Sequence, residues 1–115
     1  MNTTMNQLIP IFADIIKANN YVTFSYSLLD DRWFFLNAKR GDEYDSVTTL
    51  DSPQEAFELM IAECQYYWLE KNNLLQDDLS TEEAINTLSP DIHALLDNFL
   101  QPFIRTAENI LQKRS

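Results

Sequence analysis

The stretch spanning residues 21–50, YVTFSYSLLDDRWFFLNAKRGDEYDSVTTL, decides the fold. Its first part sets Val22, Phe24, Tyr26 and Leu28 in alternation with Tyr21, Thr23, Ser25 and Ser27, the period of two of a strand with one buried face. Asp30 and Asp31 supply turn chemistry. Residues 33–39 then read as a second strand, with Phe34, Leu36 and Ala38 facing one way and Trp33 and Phe35 the other. Both faces of that strand therefore carry apolar bulk. Gly41, the only glycine in the chain, opens a polar link over 41–45, and residues 46–50, rich in Thr and Val, read as a short third strand. The expectation is an antiparallel meander.

Helical spacing surrounds this meander on both sides. Before it, Met5, Leu8, Ile9, Phe12, Ile15 and Ile16 recur every three or four residues up to Asn19-Asn20. Pro10 lies inside that pattern, so the regular helix is expected to begin near it, with residues 3–9 in a looser turn. After it, Ser52-Pro53-Gln54-Glu55 combines an N-cap serine, proline at the first helical position and glutamate at the third, a reciprocal capping box that opens a helix reaching about Asn72. Phe57, Met60, Ile61, Cys64, Tyr67 and Trp68 share the face expected to cover the sheet. Leu59, Ala62, Tyr66 and Leu69 form a second apolar strip, so the helix should be packed on two sides.

Ser80-Thr81-Glu82-Glu83 is another capping box, opening a short helix, and Ser89-Pro90-Asp91 opens a last one. Its apolar positions run from Ile92 to Leu111, and Pro102 is expected to kink or divide it. The fold class is α+β: a three-stranded antiparallel sheet packed by helices, in the order α-β-β-β-α, followed by two or three C-terminal helices. The 115 residues are expected to form one compact domain, an α-β-β-β-α unit over 1–72 and a helical extension over 73–115 packed on it. With 45% hydrophobic residues and one glycine, collagen-like and disordered classes are excluded.

The longest run without polar side chains, residues 8–13, is far short of the roughly 20 needed for a membrane span. Residues 1–5 lack the basic start and apolar run of a secretory signal, and Cys64 stands alone, so an internal disulfide is excluded and a host cytoplasm, bacterial, is the expected setting.

Little in the chain suits catalysis. The single histidine, His93, has no nucleophile tied to it by spacing, and Cys64 falls beside Met60 and Trp68 on the inner helix face, where a thiol acts as a small hydrophobe. One His and one Cys cannot build a structural zinc site. Asp42, Glu43 and Asp45 lack the ligand spacing of an EF-hand, and one glycine offers no phosphate-cradling loop. The expectation is a non-catalytic protein with no metal or cofactor.

Charge is the informative feature. Eighteen acids against eight basic residues give a net −10, which opposes direct contact with nucleic acid or anionic lipid. Residues 41–104 hold fourteen of those acids against Lys71 alone, a net −13. The plain reading of any one acid is a solvated surface. The sharper reading is mimicry: carboxylates on a rigid surface can occupy a basic groove built for DNA or RNA, with fast, salt-sensitive binding. The expected participants are Asp42, Glu43 and Asp45 in the link and Glu55, Glu58, Asp77, Asp78, Glu82 and Glu83 near helix starts.

Two resemblances bear on this reading. Residues 1–72 resemble a double-stranded-RNA-binding domain in the order of elements, but Glu55 and Glu58 stand where that family presents lysines to phosphate. Small size, a single glycine and the acidic stretch from Asp42 to Asp97 resemble phage-encoded anti-CRISPR proteins, in particular inhibitors of the type I-F surveillance complex. Those proteins share neither fold nor sequence, so no residue roles carry over. The resemblance implies a stoichiometric inhibitor that blocks target-DNA binding on a basic surface of the complex. Composition equally fits an immunity protein that caps a basic nuclease toxin. A third reading is an interaction module using Trp33, Phe35, Tyr66 and Tyr67 as exposed aromatics, whose binding would survive high salt.

Overall fold

The computed structural model describes residues 2–18, 22–38, 44–76 and 78–112. Helix α1 (Asn2–Leu8) passes through a 3-10 turn (Ile9–Phe12) into α2 (Ala13–Ala18); strands β1 (Val22–Ser27), β2 (Arg32–Ala38) and β3 (Tyr44–Leu50) follow, then α3 (Pro53–Lys71), α4 (Thr81–Asn86) and α5 (Pro90–Gln112). The sheet is antiparallel in the order β1-β2-β3. The α+β class read from the sequence is the observed one.

Pro10 acts differently from the expectation. The segment before it is a regular α-helix, and the irregularity falls on the proline's own turn, where the Ala13 N–H donates to the Pro10 carbonyl in the tighter 3-10 pattern. Proline lacks the N–H that would bond the carbonyl four residues back and its ring crowds that carbonyl, so the turn containing it contracts and the helical path continues. Met5, Leu8 and Phe12 consequently line one buried stripe across both helices.

Strand register sorts the side chains. Phe24 lies opposite Phe35 and Tyr26 opposite Trp33, and both pairs meet across strands with tilted rings, centroids 5.2 and 5.3 Å apart. These residues, with Val22 and Leu50, belong to the inner face; Val22, Phe35 and Leu50 are buried in the core. β3 begins earlier than residue 46 because a register irregularity at Asn37/Ala38 lets Ala38 pair with Tyr44. The alternation of β1 stops at Ser27. Leu28, expected on the buried face, instead stands in the hairpin turn at 86% exposure beside Leu29 at 95%. Asp31 turns that corner at a φ of 51°, a left-handed conformation that Asp tolerates, and its carboxylate accepts from the Tyr26 hydroxyl.

Helix α3 starts where Ser52 Oγ accepts from the Glu55 N–H at 3.4 Å. Only this half of the expected reciprocal box is made among the described residues. Its end is a Schellman arrangement: Asn73, at φ 59°, donates to the Glu70 carbonyl, and Leu74 donates to Leu69 at 2.8 Å. α3 packs on α5 and also touches α1, α2 and β3. Ala56, Met60 and Cys64 form its buried seam, and Leu69 is buried at its far end. The aromatic rings of Tyr67, Phe99, Phe103 and Phe12 follow one another at 6.3, 5.5 and 5.7 Å, linking α3 through α5 to the N-terminal helices.

α5 is not divided at Pro102; it runs unbroken from Pro90 to Gln112. Pro102 and Asn98, four residues earlier, both lie on the exposed side, so the carbonyl that loses its backbone donor faces solvent. Thr106 Oγ1 donates to the Pro102 carbonyl at 2.8 Å.

Two outcomes follow from this packing. Replacing fully buried Phe12 with alanine removes the last ring of the aromatic chain and should cost about 3–5 kcal/mol in denaturant unfolding; a loss below about 1 kcal/mol would contradict the packing. Cys64 is wholly buried and its thiol is pushed up to about 12, first by burial and then by the neighbouring Glu63 carboxylate. It should stay unmodified by a thiol reagent near neutral pH and react only on addition of denaturant. Rapid labelling of the native protein would place Cys64 at the surface.

Candidate acidic interaction surface

Most of the charged groups expected to act together are distributed by the fold into two sets. Glu55 and Glu58 stand in the first two turns of α3, three residues apart and so neighbours on the helix surface. Glu58 is exposed and Glu55 half-buried. Asp78, Glu82 and Glu83 come after the other end of α3 and are all exposed. Glu58 and Lys71 are separated by about 20 Å of helix at 1.5 Å per residue, so in chain order the two sets flank α3 from opposite ends. Asp42, Glu43 and Asp77 lie outside the described residues. Asp45 is placed in β3 at the register irregularity.

The local chemistry of these acids is not uniform. Glu83 closes the capping box expected from the sequence: its Oε1 accepts from the Ser80 N–H at 3.1 Å, and Ser80 Oγ accepts from the Glu83 N–H at 3.1 Å. Hydrogen bonds from Ser80, the backbone one foremost, hold the Glu83 carboxyl below its ordinary value. Its charge is therefore already engaged by the fold. Glu55, Glu82, Glu83 and Asp91 all sit in first turns, where the positive end of the helix dipole favours them. Asp97 meets His93 Nδ1 at 3.2 Å across one exposed turn of α5. Burial pushes the half-buried Glu63 carboxyl upward.

The cation in the middle of this acidic stretch is used on a ring. Lys71 Nζ lies 5.6 Å from the centroid of Tyr67 and 3.4 Å from its hydroxyl. Tyr67 also stacks on Phe99. Of the four aromatics expected as exposed contacts, Phe35 is buried in the core at 3% exposure, and Trp33 and Tyr67 pack against that core. The reason is the pleat: Trp33 and Phe35 point to the side that the helices cover, so Phe34 is the ring left on the other side. Phe34, Leu36 and Val47, with the hairpin leucines, form apolar surface that spacing alone did not distinguish from core. The signal was present in the double-faced pattern of residues 33–38.

Among the described residues no three His, Cys, Asp or Glu side chains converge into a metal-binding group, and no helix is long and apolar enough to cross a membrane. No protein-family model, curated protein or solved structure matches the chain.

The Glu83 assignment has a pH signature. Because the fold favours the charged carboxylate, its contribution is complete above the ordinary value of 4.5 and is lost as pH falls through the lowered folded value. Glu83→Gln keeps both bonds of the box at every pH, so the stability difference between parent and E83Q should shrink to nothing or reverse on acidification. Ser80→Ala should cost about 1 kcal/mol at neutral pH. Thermal melts in which E83Q tracks the parent in parallel down to about pH 3 would contradict the capping role.

Proposed function

We propose that this protein is a non-catalytic acidic inhibitor that binds a basic, nucleic-acid-binding surface of another protein and excludes DNA or RNA from it. The observation that carries the reading is the set of exposed carboxylates Glu58, Asp78, Glu82 and Asp91 on or beside helices, within a 64-residue stretch of net −13. Solubility does not require so one-sided a charge, and like charges held together weaken the fold. A helical frame fixes them in place, so little ordering entropy is lost when they meet lysines and arginines. Half-buried Glu55 stands beside Glu58 on α3, and Glu83 adds a charge whose oxygen is shared with Ser80. Asp42, Glu43, Asp45 and Asp77 complete the proposed surface.

The partner's chemistry is a groove lined by Lys and Arg that normally holds phosphates. A guide-loaded type I-F CRISPR complex is the first such partner to test, on the resemblance in size and acidity. In the test the protein is added to that complex before its target DNA, in a gel shift at low and at high salt. The expected result is loss of the DNA shift at low salt and its recovery at high salt, because screening weakens the charge contacts. The variant carrying Glu58→Gln, Asp78→Asn, Glu82→Gln and Glu83→Gln, which preserves the cap, should need at least about tenfold more protein for the same effect. An unchanged shift together with no co-elution would remove this partner, and full potency of the variant would remove the surface.

A further inference from the structure

The order β1-β2-β3 makes β1 and β3 the two edges of the sheet, and the chain treats them differently. β3 pairs through a register irregularity, carries Asp45 at that point and touches α3. Bulges, charges and a covering helix are the devices that keep a sheet edge from recruiting another strand. β1 is built without them: its six residues, Val22–Ser27, pair with β2 in unbroken register and include no charge, proline or glycine. In an antiparallel ladder every second residue turns its N–H and C=O toward the paired strand, and the residues between turn theirs away. Apart from the Thr23 hydroxyl, which donates to the Phe24 carbonyl at 3.4 Å, the β1 backbone bonds only to β2 among the described residues. Along the core side of this edge Val22 is buried, whereas the rings of Phe24 and Tyr26 remain half-buried where they lean on Phe35 and Trp33.

We infer that the β1 edge takes an added strand from a partner protein: an extended basic segment that alternates apolar and polar residues. A row of backbone donors and acceptors facing outward is matched by another extended backbone, which fixes the conformation of the occupant. The half-buried rings of Phe24 and Tyr26 select apolar side chains on the core side of the added strand, and Thr23 and Ser25 select polar ones on the other. Charge fixes the sign. The chain carries −10, and exposed Asp30 and Asp31 stand against Arg32 at the hairpin end of this edge. An acidic segment or a second copy is therefore repelled, and lysines or arginines at alternate positions are attracted. Six residues at about 3.4 Å span about 20 Å, so a segment of about seven residues covers the edge. The inference is independent of the basic groove proposed above, because it uses the β1 backbone instead of the helix carboxylates and its test contains no nucleic acid.

Amide hydrogen exchange of the full chain, followed by NMR, tests it with a capped peptide of alternating lysine and valine, about seven residues long. In the protein alone, every second amide of residues 22–27 should exchange rapidly. The peptide should bind with a Kd below about 1 mM and, at saturation, slow those amides at least about tenfold. The same peptide with every backbone nitrogen methylated keeps its charge and side chains but donates no backbone hydrogen bond, and it should bind at least about tenfold more weakly. Protection of all the β1 amides in the protein alone would mean that the edge is already covered, by the chain itself or by a second copy, and overturns the inference. No binding of the peptide at about 1 mM overturns it as well. Equal binding of the methylated peptide, or protection confined to α3, α4 and α5, would reduce the contact to charge attraction and equally overturns it.

Discussion

Ala56, Met60 and Cys64 lie one helical turn apart on α3, and none of the three is exposed beyond 1%. This seam is the contact on which the remaining structure depends, because α3 touches α5, both N-terminal helices and β3. The N-terminal stripe of Met5, Leu8 and Phe12 and the α5 residues Leu96, Leu100 and Ala107 fall in the same core. Tyr67, Phe99, Phe103 and Phe12 extend that contact as a chain of rings, each pair adding a preferred aromatic geometry to the area it buries. The sheet contributes one side, through Val22, Phe35 and Leu50. Phe34 and Leu36, on its other side, are half-buried and stand outside this core.

The same helices that bury the seam expose the acids. A helix packed along one stripe must present its opposite side to water, and here that side carries Glu58 on α3 and Asp91 and Glu108 on α5. Part of the charge is matched locally. Dipole ends and the Ser80 cap favour particular carboxylates, and Asp97 lies 3.2 Å from His93 Nδ1. These local partners do not cancel the excess, since cations are scarce between residues 41 and 104 and Lys71 lies over the Tyr67 ring. The helices are thus rich in exposed acids, while the described outward rows of the sheet, Thr23, Leu36 and Val47 beside Ser25, Phe34 and Thr49, carry none.

Strand and helix identity were legible because each rests on local chemistry. Alternation marked β1, double-faced apolar residues marked β2, and the serine caps at 52, 80 and 89 marked helix starts at their observed positions. Effects that depend on distant packing were not legible. Pro10 and Pro102 read as helix breaks, yet one is absorbed in a 3-10 turn and the other lies on the solvent side of α5. Leu28 fits the alternation of β1, but the turn geometry set by Asp31 takes it out of the strand. Phe35 read as an exposed contact because periodicity gives two faces without saying which one the helices cover. For the acids, sequence supplied their number and their helix-start positions; the division into sets at either end of α3, and the commitment of Glu83 to Ser80, required the fold.

The measurement closest to the physical basis of the proposed function is the melting temperature of the protein alone in increasing sodium chloride. Between about 0.01 M and 1 M the screening length falls from about 30 Å to about 3 Å. An uncompensated acidic surface predicts a midpoint that climbs steeply at first and then levels as self-repulsion is screened. A midpoint that stays flat or falls would mean that the carboxylates are internally paired, and a surface of paired charges has nothing to offer a basic groove.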